Sequence, residues 1–86
     1  MTYIYRRDVL EQLERHGVRP RSTTAPELVH AFVNDLYRYE LRVLRAQLIL
    51  GEFAKQEYFG RVVGVRSRYP LLSLKPRQWL EPSGAC

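Results

Sequence analysis

The stretch that most constrains this chain is Thr24–Leu50, TAPELVHAFVNDLYRYELRVLRAQLIL, which reads as one long helix with an acidic residue, Glu40, inside its apolar face. At about 100° per residue, Leu28, Phe32, Tyr39, Val43, Ala46 and Leu50 gather on one side. Leu36, Val29, Val33, Leu44 and Tyr37 continue the arc round the cylinder. A surface helix ordinarily shows its core a stripe about 100° wide. An arc over more than half the circumference requires neighbours on at least two sides, so this helix is expected at the centre of the fold. Thr24-x-x-Glu27 fits a capping box, and Pro26 falls in the first turn, where its missing N–H costs nothing. From Ala25 to Leu50, at about 1.5 Å per residue, the helix spans about 39 Å. A break near Asn34–Asp35 is the one alternative, with neither glycine nor proline there to cause it.

Before it, the spacing predicts a first helix over Tyr5–His16, with Tyr5, Val9, Leu10 and Leu13 on one face and Arg7, Glu11, Glu14 and Arg15 on the other. Asp8 with Glu11 offers a capping pair that would start it later. Gly17 suits the left-handed position after the C-cap, Val18 can then touch Leu13, and Pro20 stops the helix resuming. His16, in the last turn, reads as a favourable partner of the helix dipole rather than a catalytic group.

After it, Gly51 ends the central helix and Phe53 precedes the next. With Ala54 as N-cap, Phe53 and Tyr58 occupy the positions of a hydrophobic staple and Glu57 lies at N3. A third helix, about 55–68, buries Tyr58, Val62, Val65 and Tyr69 and pairs Glu57 with Arg61 outside. Gly60 and Gly64 imply either close backbone approach or a partly β segment over RVVGV. The short connection makes an αα-hairpin. Leu44–Arg66, with its leucine-rich helix, Gly-x-apolar turn and acidic-aromatic restart, resembles the short helical hairpins called SHOCT modules. The likeness covers about a quarter of the chain and lacks the usual Ser/Thr cap at Ala54, and hairpin physics alone produces the same pattern.

In the tail, 70–86, prolines at 70, 76 and 82 forbid a long helix, so it should be extended apart from a turn opening at Pro76. Leu71, Leu72, Leu74, Trp79 and Leu80 are too apolar to stay in water. They are expected to fold back on the helices with Trp79 as anchor, or else to form a docking peptide or dimer contact.

At 86 residues the chain is read as one small domain, 1–86, too small to build a deep catalytic cleft easily. Its lone Cys86 excludes an internal disulfide, and with two histidines no Cys/His zinc cluster is expected; neither a metal nor another cofactor is implied. With no apolar signal segment and no membrane-length run, a cytoplasmic protein is expected. Net charge is +5, and twelve of the fourteen basic residues are arginine. Arginine's planar fork suits phosphate or an acidic protein surface, although codon bias produces the same excess.

Glu40 invites two readings: a general acid or base, or a structural partner of an arginine from the first or third helix, Arg6 or Arg61 for example, or of a tyrosine hydroxyl. No second carboxylate, nucleophile or ligand accompanies it, which favours the structural role. His30 reads as a half-buried packing residue. Arg38, Arg42 and Arg45 form a ridge on the polar arc with Asn34 and Asp35, and Asp35 can pair with Arg38 or Arg42. Arg61, Arg66 and Arg68 make a second basic group on the third helix. These six are candidate contacts to a partner or to phosphate, and a merely solvated face is the competing explanation. Tyrosines in YRYELR and RSRYP could stack bases, but helical spacing turns most of them inward.

The expected fold is all-α: three helices about 5–16, 25–50 and 55–68, with the tail packed back. The expected function is a non-enzymatic binding or adaptor module for another protein, with a homodimer through helix two and the tail as one form. A nucleic-acid-binding protein using the arginine ridge is the alternative.

Overall fold

The computed structural model describes residues 2–82. It is all-α, with helices α1 (Arg7–Arg15), α2 (Pro26–Ile49) and α3 (Lys55–Ser67), followed by two 3-10 turns, Pro70–Ser73 and Pro76–Trp79. α2 runs unbroken through Asn34–Asp35. Gly17 and Gly51 both take positive φ, 74° and 77°. Each closes its helix in a Schellman pattern: Val18 N–H donates to Leu13 O at 2.9 Å, and Glu52 N–H to Gln47 O at 3.0 Å. The Phe53 and Tyr58 rings stack with centroids 6.5 Å apart, closing the αα-hairpin that lays α3 on α2.

The core joins all parts of the chain: Val9 and Leu13 from α1, Val29, Val33 and Leu44 from α2, Val65 from α3, and Tyr5, Tyr69, Leu71 and Trp79 from the flanking segments. Trp79 is fully buried, and its indole N–H donates to Leu71 O at 3.2 Å. Over its described residues, 70–82, the tail docks rather than hanging free. Tyr5 pairs with Leu80 in an antiparallel bridge, Arg6 N–H donates to Trp79 O at 2.8 Å, and Glu81 N–H donates to Ile4 O at 2.7 Å. The molecule is long, 54 × 18 × 17 Å, because α2 carries the hairpin away from the α1 end.

Several expectations are corrected. α1 starts at Arg7, because Tyr5 is drawn into the bridge and spends its hydroxyl on Thr24 O at 2.7 Å. Leu10, expected inside, is 39% exposed, since the core reaches α1 only along the Val9–Leu13 line. The Thr24 capping box does not form: Thr24 Oγ1 accepts from Arg21 N–H at 3.1 Å, so Ala25 is the N-cap and Pro26 is N1. The Asp8–Glu11 cap is also absent, Asp8 lying 2.9 Å from Arg6 instead. α3 is helical throughout, and a Cβ at Gly60 or Gly64 would meet nothing within 4 Å, so neither glycine serves close packing. The tail holds a second 3-10 turn, at Pro70, besides the one at Pro76. Cys86 lies outside the described residues.

Candidate functional site

The largest correction concerns α2. Its broad apolar arc splits into two faces, and only one is covered. Val29, Val33 and Leu44 lie in the core, whereas Leu28, Phe32, Tyr39, Val43 and Leu50 are 68, 53, 57, 40 and 77% exposed. α3 and both 3-10 turns pack on α2, and the covered line is the one that carries Val29, Val33 and Leu44. The reason is a shortage of chain. One hairpin arm, a nine-residue helix and a short tail cannot surround a 24-residue helix. The outcome is an apolar stripe open to solvent along most of α2, the kind of surface that marks an interaction site on a small protein.

The arginine ridge borders this stripe. Arg38, Arg42 and Arg45 are exposed and, with Leu41 and Tyr58, line a shallow cleft of about 280 Å³. Among the described residues none of the three is in an ion pair, and Asp35 pairs with neither Arg38 nor Arg42. The second basic group does not act as one surface. Arg61 lies 3.4 Å from Glu57 and 4.3 Å above the Phe53 ring. Arg68 turns to Glu40, and Arg66 lines a different cleft with Tyr37, Tyr69 and Leu72. By helical spacing Arg66 falls on the flank of α3 opposite Arg61 and Arg68.

Glu40 is half-buried. Its carboxylate takes the Arg68 guanidinium at 2.6 Å on one oxygen and the Tyr69 hydroxyl on the other. The arginine is therefore Arg68, rather than Arg6 or Arg61, because α3 runs antiparallel to α2 and brings its last turn to the middle of it. Burial, the Glu40 hydrogen bond and the Glu40 charge push the Tyr69 hydroxyl up to about 12, against a lowering influence from Arg68. On its other side Tyr69 stacks on His16, with centroids 4.4 Å apart and planes 8° apart. The His16 Nε2 is buried without a protein partner among the described residues.

Gln12, Arg15, His16, Glu40, Ser67, Arg68 and Pro70 border a cleft of about 490 Å³. The C-terminal ends of α1 and α3 converge there, and Arg15 and Arg68 offset the partial negative charge of those helix ends. Each charge in the cleft thus has a structural assignment. His30 packs on Trp79 with centroids 5.2 Å apart, its Nε2 3.2 Å from Leu74 O.

Two features escaped sequence reasoning: which arginine of the third helix would meet Glu40, and the exposure of the stripe. The signal for the second was present, since α2 alone carries two apolar lines and the rest of the chain has residues to cover one. Among the described residues no group of three or more His, Cys, Asp or Glu side chains comes together, and no helix is long and apolar enough to cross a membrane. No protein-family model, curated protein or solved structure matches this chain, so the likeness of Leu44–Arg66 to a SHOCT hairpin rests on those residues alone.

Proposed function

We propose that this protein is a non-enzymatic binding module of the cytoplasm that engages protein through the outer face of α2. The observation that carries the reading is the solvent-open line of Leu28, Phe32, Tyr39, Val43 and Leu50 on a helix whose opposite line is fully used in the core. An apolar stripe of this length on a rigid helix is what helix-in-groove and helix-pair recognition use. The test is a photo-crosslinking residue placed at Phe32 or Tyr39, with Glu11 on exposed α1 as control. Protein adducts at the first two positions and none at Glu11 support the reading. Equal yields at all three, or adducts to nucleic acid alone, defeat it.

A second reading has its own observation: Arg38, Arg42 and Arg45 are exposed, free of ion pairs among the described residues, and grouped beside Tyr58. This would suit phosphates on a nucleic acid. Retention on DNA or RNA would then weaken steeply with salt, and the slope would fall by about one for each arginine replaced by alanine. No retention at low salt removes this reading.

A further inference from the structure

The open stripe has a symmetry that specifies an occupant. Its positions are 28, 32, 35, 39, 43, 46 and 50, so the steps between them are 4, 3, 4, 4, 3 and 4, the same from either end, with Tyr39 at the midpoint. Only Asp35 is charged. The spacing repeats every eleven residues, about 3.67 per turn, so two such helices would wrap in a slight right-handed supercoil. A stripe that is the same read backwards is complementary to an antiparallel copy of itself.

We infer that a second copy of this chain covers the stripe, with the two α2 helices antiparallel about a two-fold axis at Tyr39. This rests on the reading of the α2 outer face as a protein-binding surface. In that arrangement Tyr39 meets Tyr39, Leu28 meets Leu50, bulky Phe32 faces small Ala46, and Asp35 faces Val43 at the edge nearest the arginine ridge.

Charge points the same way. A two-fold axis perpendicular to both helices keeps like flanks together. Asp35 of one copy then lies beside Arg42 of the other, twice over, and neither residue has an ion-pair partner within its own chain among the described residues. A parallel pair would instead set Asp35 against Asp35 and turn the ridge toward the flank where Glu40 is already committed to Arg68. The antiparallel form gives the free acid and the free base each other, while it also gathers Arg38, Arg42 and Arg45 of both copies on one flank of the pair. α3 and the tail pack against the covered line of α2, with Val65 and Arg68 reaching one edge of the stripe, where they line a cleft with Tyr39 and Val43.

The experiment is cysteine trapping in a Cys86→Ser background, beside sedimentation of the parent protein. Tyr39→Cys is expected to form a covalent dimer on mild oxidation. Leu28→Cys and Leu50→Cys should each stay uncrosslinked alone and form a mixed dimer when combined. Asp35→Arg should weaken association by about tenfold, and adding Arg42→Asp should restore it. A Leu28→Cys protein that crosslinks to itself overturns the antiparallel arrangement. A parent that stays monomeric up to about millimolar concentration, with no trapped dimer, overturns the inference altogether. If that monomer still gives adducts to a different protein from Phe32, the docking reading stands alone; if it gives none, both fall.

Discussion

Tyr69 donates its hydroxyl to Glu40 while its ring lies flat on His16, so one side chain ties the last turn of α3 to the middle of α2 and the end of α1. Replacing Tyr69 by phenylalanine keeps the stack and removes the hydroxyl. The expected cost is about 1–2 kcal/mol, seen as a lower urea midpoint with an unchanged slope. Glu40 keeps Arg68, so the fold itself should persist.

The same hydroxyl makes stability fall at high pH. In the folded chain Tyr69 is held protonated up to about 12, against an ordinary value of 10.0, so between these values the folded state binds a proton that the unfolded state has released. Stability is therefore complete below pH 10 and declines as pH rises toward 12. Burial and the charge of Glu27 raise Tyr5 in the same direction. Tyr69→Phe should accordingly reduce the alkaline slope of the urea midpoint without abolishing it. An unchanged slope would show that burial and Glu40 together do not hold Tyr69 protonated in the folded chain.

Glycines separate into two classes. Gly17→Ala or Gly51→Ala puts a side chain at positive φ and should cost about 1 kcal/mol or more each. Gly60→Ala and Gly64→Ala fall inside α3 with open space around the new methyl and should each stabilise by about 0.5–1 kcal/mol. Thermal midpoints of the four variants test the opposite signs.

Trp79→Ala is the substitution expected to do most damage. It empties the largest fully buried side chain, at a cost of about 3–5 kcal/mol. That is a large part of what a domain of this size possesses. Loss of a cooperative melt followed by far-ultraviolet signal would register it. Phe32→Glu, on the open stripe, should instead leave the melt within about 0.5 kcal/mol of the parent when both are measured at a dilution where the chain is monomeric.

The contrast between Trp79 and Phe32 shows what was legible beforehand. Helix ends at Gly17 and Gly51 could be read because backbone sterics act locally. Trp79 could be read as an anchor because prolines exclude a helix there and its bulk demands cover. Periodicity placed Phe32 and Val33 correctly round α2 but could not say which of the two would find neighbours, a matter of how much chain remains to supply them. Likewise the carboxylate of Glu40 announced a need for a partner, while the choice of Arg68 over Arg61 depended on the register of the hairpin. Thr24 carried a capping motif that lost to a competing turn at Arg21.

The clasp between Ile4–Arg6 and Trp79–Glu81 also governs how the chain can fold as it is made. Val9, Leu13 and Val33 leave the ribosome well before the indole that seals them. No native intermediate with a finished core is available to the growing chain. Sealing the core requires residue 81 to have cleared the exit tunnel, and the contact that closes it joins segments far apart in the sequence.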